Sequence, residues 1–489
     1  MCGRSLVGSF TASMSWKTAP GMRPSAKAST PDRPSLGRYQ VASTKTASDS
    51  DSAASGEIRT SFALIARLPA WHHAAPASCR HLPTRPPSAQ PADDATRARR
   101  KPMILEGVRI IDLTTVVAGP IASLVFAQQG ADVVKVEPPG GDLIRRLGFI
   151  AHDGASSTHH VLNRGKKLIS LDLTSDAGRR ALARLLEDAD VLLHNYRPGV
   201  AERMGLDSAE LRRRHPGLII GEVTGFGPEA PLKSVRAYDP VIQAESGLAH
   251  RPERDEPELY PQYICDKVSG LYLAQAVTAA LVAKGRDGKG RRVEVSMLEA
   301  ATAFSWMDVH MPLTFADPAR VGPNIAKVYR PWKANGGWFV VVMLSEKEFA
   351  GWCEAVGATE LLDDERCADM AGRFLNWDVI RETCAPRVAE IGIDTLLARL
   401  REKGVPAGRV NTSDDMLAHP QLVASGLIYE AEAGAAGTVR LPGSPARFDG
   451  DRPGLGAAAE GAIGPDTRAV LKAAGVSADD IAAITGETE

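Results

Sequence analysis

The stretch that most constrains this chain is residues 261–300, PQYICDKVSGLYLAQAVTAALVAKGRDGKGRRVEVSMLEA. From Val268 to Ala283 nearly every residue is apolar or small, too continuous for a one-faced surface helix and too long for a strand, so the pattern predicts a buried helix. A polar turn from Gly285 to Gly290 stops it. Val293, Val295 and Met297 then alternate with Glu294 and Ser296, the period of a half-buried strand feeding a further helix at Leu298. One acid, Asp266, heads the apolar block. Aspartate just before a helix ordinarily caps it, accepting from N–H groups that have no partner within the helix. The same place suits a nucleophile, because the positive end of the helix dipole keeps a carboxylate ionised while the packed helix fixes its direction. On the residues alone both readings stand.

The rest of the chain sets this block in an alternating pattern. From Gly107 it reads strand, helix, strand: VRIIDL, PIASLVFAQQG and DVVKVE, with Pro120 in the first helical turn and Gly130 closing the helix. LISLDL, a helix after Ser175 and VLLHNY form a second set; SAELRRRH and LIIGEVTGFG form a third. Such alternation predicts an α/β fold with a mostly parallel sheet, whose ligands sit at the carboxyl ends of the strands. Glu137, at the end of the second strand, stands where a dinucleotide fold keeps its ribose-binding acid. The first turn, TTVVAGP, has a single glycine where pyrophosphate binding wants three at fixed spacings, so an NAD site is not expected. Between Arg320 and Pro420 the character changes: YRPWKANGGWFVVVML reads as a turn plus one strand, with helices around 349–355 and 395–403, as in a smaller second domain. GTVRLPGSPARF then reads as strand and loop, and DTRAVLKAAG and the helix capped at Ser477 close the chain.

A chain of 489 residues accommodates two or three domains, and 44% hydrophobic with 24% charged residues is ordinary for a globular protein. Residues 1–101 carry 15 Lys or Arg against 6 Asp or Glu, and the remainder 43 against 53, so a basic arm precedes an acidic body. An acidic body argues against nucleic acid as a partner, though a local basic patch could still hold a phosphorylated ligand. The arm, residues 1–102, is rich in Ser, Thr, Ala, Pro and Arg without period. We expect it to be disordered, with Met103 opening the regular fold as a candidate start. The six cysteines are scattered without a CxxC pair or a Cys/His cluster, which suggests a reducing, cytoplasmic setting and no metal site. Apart from the helix above, which carries Gln275 and Thr278, no apolar run is long enough to span a bilayer, and no membrane association is expected.

Taken in order, LEGVRIIDLTTVVAGPIASLVFAQQGADVVKVEPPGGD, RGKKLISLDL, LLHNYRPGVAERMGL, GFGPEAPLKSVRAYDPVIQAESGL and the Asp266 block resemble the class III CoA-transferases, the family of formyl-CoA and carnitine CoA-transferases (CaiB/BaiF type). The resemblance covers residues 105–485. It implies an interlocked homodimer, each chain having a Rossmann-like large domain with a parallel sheet and a smaller α/β domain. Residues 103–320 would form the large CoA-binding domain, 321–420 the small one, and 421–489 a return to the large domain. The family's nucleophilic aspartate matches Asp266. The implied reaction moves CoA from an acyl-CoA donor to a small free carboxylic acid, through an aspartyl anhydride and an aspartyl-CoA thioester, without metal. Positions implied to line CoA are Val116, Leu171, Asn195, Tyr196, Arg203, Arg236 and Met297. Taken singly, Arg203 and Arg236 would be read as surface charges, Leu171 and Met297 as core, and Asn195 as a turn residue. At Pro138 the chain departs from members that place an arginine beside the adenine. Asp239 resembles a second acid near the nucleophile in some members, although before Pro240 it also reads as a turn former. Racemases of 2-methylacyl-CoA share the fold but pair the aspartate with a histidine, and here Tyr238 stands in the corresponding block. A CoA-binding protein without catalysis is the remaining alternative.

Overall fold

The computed structural model describes residues 103–229, 231–250, 256–317, 330–454 and 456–486. The arm at 1–102 and the edges of the expected domains near 320 lie outside the described residues. Six strands form one parallel sheet: β1 (Arg109–Asp112), β2 (Asp132–Glu137), β3 (Lys167–Ser170), β4 (Val191–His194), β5 (Ile219–Thr224) and β6 (Arg292–Ser296). Their order is β3-β2-β1-β4-β5-β6, so the winding reverses between β1 and β4. Loops leaving the carboxyl ends of these two strands part to opposite sides, the arrangement that in open α/β sheets makes this end of the sheet the ligand crevice.

The strands are rich in Val, Ile and Leu because both faces are covered. On one face Ile111, Val134, Ile169, Leu192 and Ile220 pack against α3 (Asp176–Glu187) and α4 (Ser208–Arg214). On the other, Ile110, Val133, Leu193 and Val223 pack against α1 (Ala118–Gln128) and α6 (Ile264–Asp287). The short α2 (Ser157–Asn163) lies between β2 and β3, α5 (Asp239–Glu245) precedes α6, and α7 (Met297–Ser305) follows β6 directly. LISLDL forms strand only as far as Ser170. Beyond it Asp172 accepts from the Thr174 N–H and hydroxyl, and this turn leads to Ser175, which caps α3 by accepting from the Gly178 N–H.

Helix α6 is the predicted one, longer than its apolar run and ended by Gly288 in the left-handed region at φ 71°. It starts at the same sheet edge as α1, and the two run down the sheet in parallel. Gly270 permits their close approach, since a Cβ there would lie 2.3 Å from the Ala118 carbonyl oxygen. The expectation of a fully buried helix is corrected. Leu273, Ala274 and Val277 face the sheet, but Leu271 is 54% and Val282 60% exposed. By length and composition alone this helix could cross a membrane, but its inner face is committed to α1 and the sheet.

Residues 330–409 form an antiparallel sheet of β7 (Trp332–Ala334), β8 (Gly337–Val341) and β9 (Ala407–Arg409), backed by α8 (Glu346–Val356), α9 (Trp377–Glu390) and α10 (Ile393–Glu402) around Trp332, Trp352 and Trp377. Where one strand was expected there is a hairpin, turned at Asn335 and Gly336, the latter at φ 88°. A second hairpin joins β10 (Ile428–Glu432), which the sequence did not announce, to β11 (Thr438–Pro442). The chain then returns to the parallel sheet. Helix α11 (Thr467–Ala473) lies along β3, and α12 (Ala478–Thr485) packs on α3. The Leu168 N–H donates to Asp466 and the Ser170 N–H to the Thr467 hydroxyl, closing the open edge of β3.

Gly270→Ala puts a methyl against the Ala118 carbonyl, and we expect it to destabilise the fold by about 1–3 kcal/mol, the usual cost of overpacking. Denaturant unfolding measures this, and unchanged stability would mean that α1 and α6 are not in this close contact.

Candidate active site

The crevice between β1 and β4 rests on a buried ionic group. Lys135 is fully buried opposite Asp112 in the β1–β2 register. Its ammonium donates to the Thr114 carbonyl and lies 3.6 Å from an Asp142 oxygen. Burial opposes its charge, but Asp112, Asp142 and Glu137 outweigh that and raise its pKa. Burial likewise works against the Asp112 charge, yet Lys135 and Lys166, helped by the Ser123 and Thr114 hydroxyls, hold this carboxyl below its usual range. Lys166 is itself pushed down to about 8 by burial, against the pull of Asp112. Glu137 accepts two bonds from Arg145, at 2.9 and 2.7 Å, and Arg145 also donates to the Gly461 and Ala462 carbonyls. Glu137, at the place where a dinucleotide fold keeps its ribose-binding acid, is therefore committed to Arg145.

Above this group sits the turn from β1 into α1. The Asn195 side chain reaches across from the end of β4, its Oδ1 accepting the Thr115 N–H at 2.9 Å and its Nδ2 donating to the Thr115 carbonyl at 2.8 Å. Asn195 is more than a turn residue, because it ties the two strands together where the winding reverses. Val116 has φ 67°, and its N–H points at the Asp142 carboxylate, 3.1 Å from both oxygens. Next to Asn195, Tyr196 stacks on His194 with ring centroids 5.9 Å apart, beside a cavity of about 200 Å³. Arg203, at the end of the short helix Val200–Arg203 after β4, and Arg236, on the loop after β5, are exposed, and their side chains have no hydrogen bond or ion pair among the described residues. The loops after β4 and β5 meet where Arg197 donates to the Ser234 carbonyl. The side chains of Leu171 and Met297 are buried in the cores on opposite faces of the sheet.

Asp266 is at the third position of α6, one turn outward from Gly270 and so beyond the start of α1. It is not the cap. Tyr263 occupies that place without a side-chain bond, and Asp239 from α5 accepts the Asp266 N–H at 3.0 Å. Asp239 opens a helix instead of merely making a turn, and Gln243 holds its other oxygen at 2.5 Å while bonding the Tyr260 and Gln262 carbonyls. The Asp266 carboxylate accepts no hydrogen bond among the described residues and is 7% exposed. Burial, then the nearby Asp239, push its pKa up to about 7. Desolvation and a like charge thus work against the helix dipole that was expected to keep it ionised. A carboxylate in this state is more basic and less solvated than an ordinary one, both of which favour nucleophilic attack. Its neighbour Cys265, pushed up to about 12 by burial first and the two acids second, is no competitor.

The sequence profile of CoA-transferase family III matches residues 105–467. The chain belongs to this family. It is 32% identical to a succinate–glutarate CoA-transferase of Agrobacterium fabrum over 73% of this chain and 94% of that one. With a human succinyl-CoA:glutarate CoA-transferase it shares 31% identity over 70% and 80% of the two chains. The crystal structure of a CAIB/BAIF family protein from Brucella suis superposes with a TM-score of 0.67 at 29% identity, covering 76% of this chain and all of that one. In this family III CoA-transferase, then, Val116 and Asn195 meet at one crevice with Tyr196 beside them, while Asp266 and Asp239 meet beyond the start of α1. The residues that sequence reasoning missed are Lys135, Asp142 and Gln243. A lysine inside the strand DVVKVE, where every neighbour is apolar or paired, was the available signal for the first.

The raised Asp266 pKa carries a sign that can be tested. Between about pH 4 and 7 this carboxyl is protonated in the folded protein and ionised in the unfolded chain, so stability falls as pH rises through that window. Asp266→Asn, uncharged throughout, should match the wild type near pH 4 and exceed it at pH 8 by up to about 4 kcal/mol. Denaturant unfolding at the two pH values checks this, and equal stability at pH 8 would refute the raised pKa.

Proposed function

We propose that this family III CoA-transferase moves CoA from an acyl-CoA donor to a small free carboxylic acid, with Asp266 as the nucleophile. The observation that carries the reading is a desolvated carboxylate that accepts no hydrogen bond among the described residues, while its backbone N–H is held by Asp239. In the first step the Asp266 carboxylate attacks the donor thioester carbonyl, the C–S bond breaks, and a mixed anhydride forms as CoA thiolate leaves. The thiolate then attacks the Asp266 carbonyl of that anhydride, releasing the donor acid and leaving an aspartyl-CoA thioester. Attack by the acceptor carboxylate on this thioester frees thiolate and forms a second anhydride. Thiolate attack on the acceptor's acyl carbon gives the new acyl-CoA and restores Asp266. Each exchange is effectively intramolecular as long as the thiolate is held at the crevice. Val116, Leu171, Asn195, Tyr196, Arg203, Arg236 and Met297 are the positions we assign to CoA, with the two unpaired arginines meeting phosphate.

Succinyl-CoA is the first donor to try, since the Agrobacterium and human relatives are named for succinate or succinyl-CoA with glutarate. We place the enzyme as an interlocked homodimer of Rossmann-like large domains, a reading supported by the bare apolar surface of Leu271 and Val282 on α6 and Phe304 and Met307 around α7. Racemase chemistry is not favoured: Tyr238, exposed at the start of α5, stands in the block where a histidine would be needed.

Covalent trapping tests the cycle. Wild-type protein incubated with acyl-CoA and then hydroxylamine or borohydride should carry a modification at Asp266 by mass spectrometry, and Asp266→Asn should lose transfer completely. A folded Asp266→Asn protein with full transfer and no adduct on the wild type would refute the role.

Replacing Arg203 or Arg236 by Ala should weaken CoA binding about tenfold to a hundredfold in calorimetry, the weight of a charge-assisted hydrogen bond. Unchanged affinity would return them to ordinary surface charges.

A further inference from the structure

Val116 poses a physical question. A β-branched residue at φ 67° is sterically costly and persists only where its surroundings impose the conformation. Its N–H is bonded to Asp142, both of whose oxygens accept it, while Asn195 holds the preceding Thr115. Asp142 cannot give way. It is buried, its own N–H donates to Glu137 Oε1 at 3.1 Å, its Oδ1 also accepts from the Ile144 N–H at 3.1 Å, and Lys135 stands 3.6 Å away. Its supports are fixed in turn, Glu137 by Arg145 and Lys135 by the Thr114 carbonyl.

We propose that Asp142 is a positioning residue for CoA transfer. By drawing the Val116 N–H inward it holds the β1–α1 turn in its strained form, and so sets the path of the backbone at Val116 and the start of α1. Without that carboxylate Val116 relaxes toward negative φ, and the peptide leading into Ala118 swings. Gly270 of α6 packs on the Ala118 carbonyl, one turn below Asp266, so the movement reaches the nucleophile's helix as well as the crevice. This inference rests on the proposed function, in which acyl-CoA lies against Val116 and reacts at Asp266.

The discriminating partner is Val116→Gly, because glycine takes φ 67° without strain and can hold the turn with no anchor. In steady-state assays of the full chain, Asp142→Ala should lower kcat/KM for the acyl-CoA donor at least 30-fold, with kcat bearing the larger share. Adding Val116→Gly should return at least tenfold of it. Asp142→Asn, which keeps one oxygen for the Val116 N–H, should lose less than Asp142→Ala. A merely structural role gives another pattern: a lower melting temperature, kcat and KM per folded molecule within twofold of wild type, and no recovery from the glycine. That pattern would overturn the proposal. Should Asp142→Ala not fold, Asp142→Asn with and without Val116→Gly carries the same comparison, and failure of both to fold would assign Asp142 to stability and overturn it too. An active wild type with an indifferent Asp142 variant overturns this inference alone. A wild type without transfer to any of a panel of carboxylic acids overturns the CoA-transfer reading and this inference together.

Discussion

A single buried ammonium, that of Lys135, sets most of what this structure can do. A lone charge in a protein interior costs several kcal/mol, and removing one member of such a group strands the others. Lys135 is tolerable only where Asp112 lies beside it on β1, Asp142 beyond it on the following loop, and the Thr114 carbonyl above it. That requirement fixes the β1–β2 register, since a slip of one residue would turn the ammonium to the other face of the sheet, away from its partners. It also fixes the loop after β2, and through Asp142 the turn into α1. The crevice is thus shaped from below by electrostatics before any ligand arrives.

The site above inverts this logic. Beneath the turn every charge has opposite charges for company, whereas Asp266 is buried with another acid and, among the described residues, no cation partner. A fold tolerates such an arrangement for its chemistry, at a cost in stability that the apolar packing of α6 must offset. The Asp239–Gln243 pair limits the damage by satisfying the end of α6 from outside, which leaves the Asp266 oxygens uncommitted.

How much of this could be read from the residues follows from range. The strands of the parallel sheet, α3 with its Ser175 cap and the long helix were legible because periodicity and capping are local. Asp266 was legible as a position at the head of the helix, where the resemblance to a family set nucleophile beside cap, and the structure gives the cap position to Tyr263. The raised pKa of Asp266 was not legible, because burial and the approach of Asp239 from 27 residues away are tertiary facts. Lys135 and Asp142 were passed over for the same reason: their partners come from other strands and loops. The Asn335-Gly336 turn was a true local signal that the run of apolar residues after it obscured, whereas β10, reading IYEAE, carries two glutamates and an alanine and gave little to find. The bare face of α6 could not be foreseen, since composition reports that a helix wants cover and not where the cover comes from.

The return of the chain end to β3 has a consequence in time. Leu168 and Ser170 find their edge partners in Asp466 and Thr467, Arg145 and His159 are held by the carbonyls of Gly461 and Glu460, and Arg180 meets Asp480, all across roughly 300 residues. Contacts of this span close slowly and only once both ends exist. A ribosome that has made the whole of α6 has therefore made a sheet whose outer strand β3 is still uncovered, and that edge can be closed only after residues 460–480 have emerged.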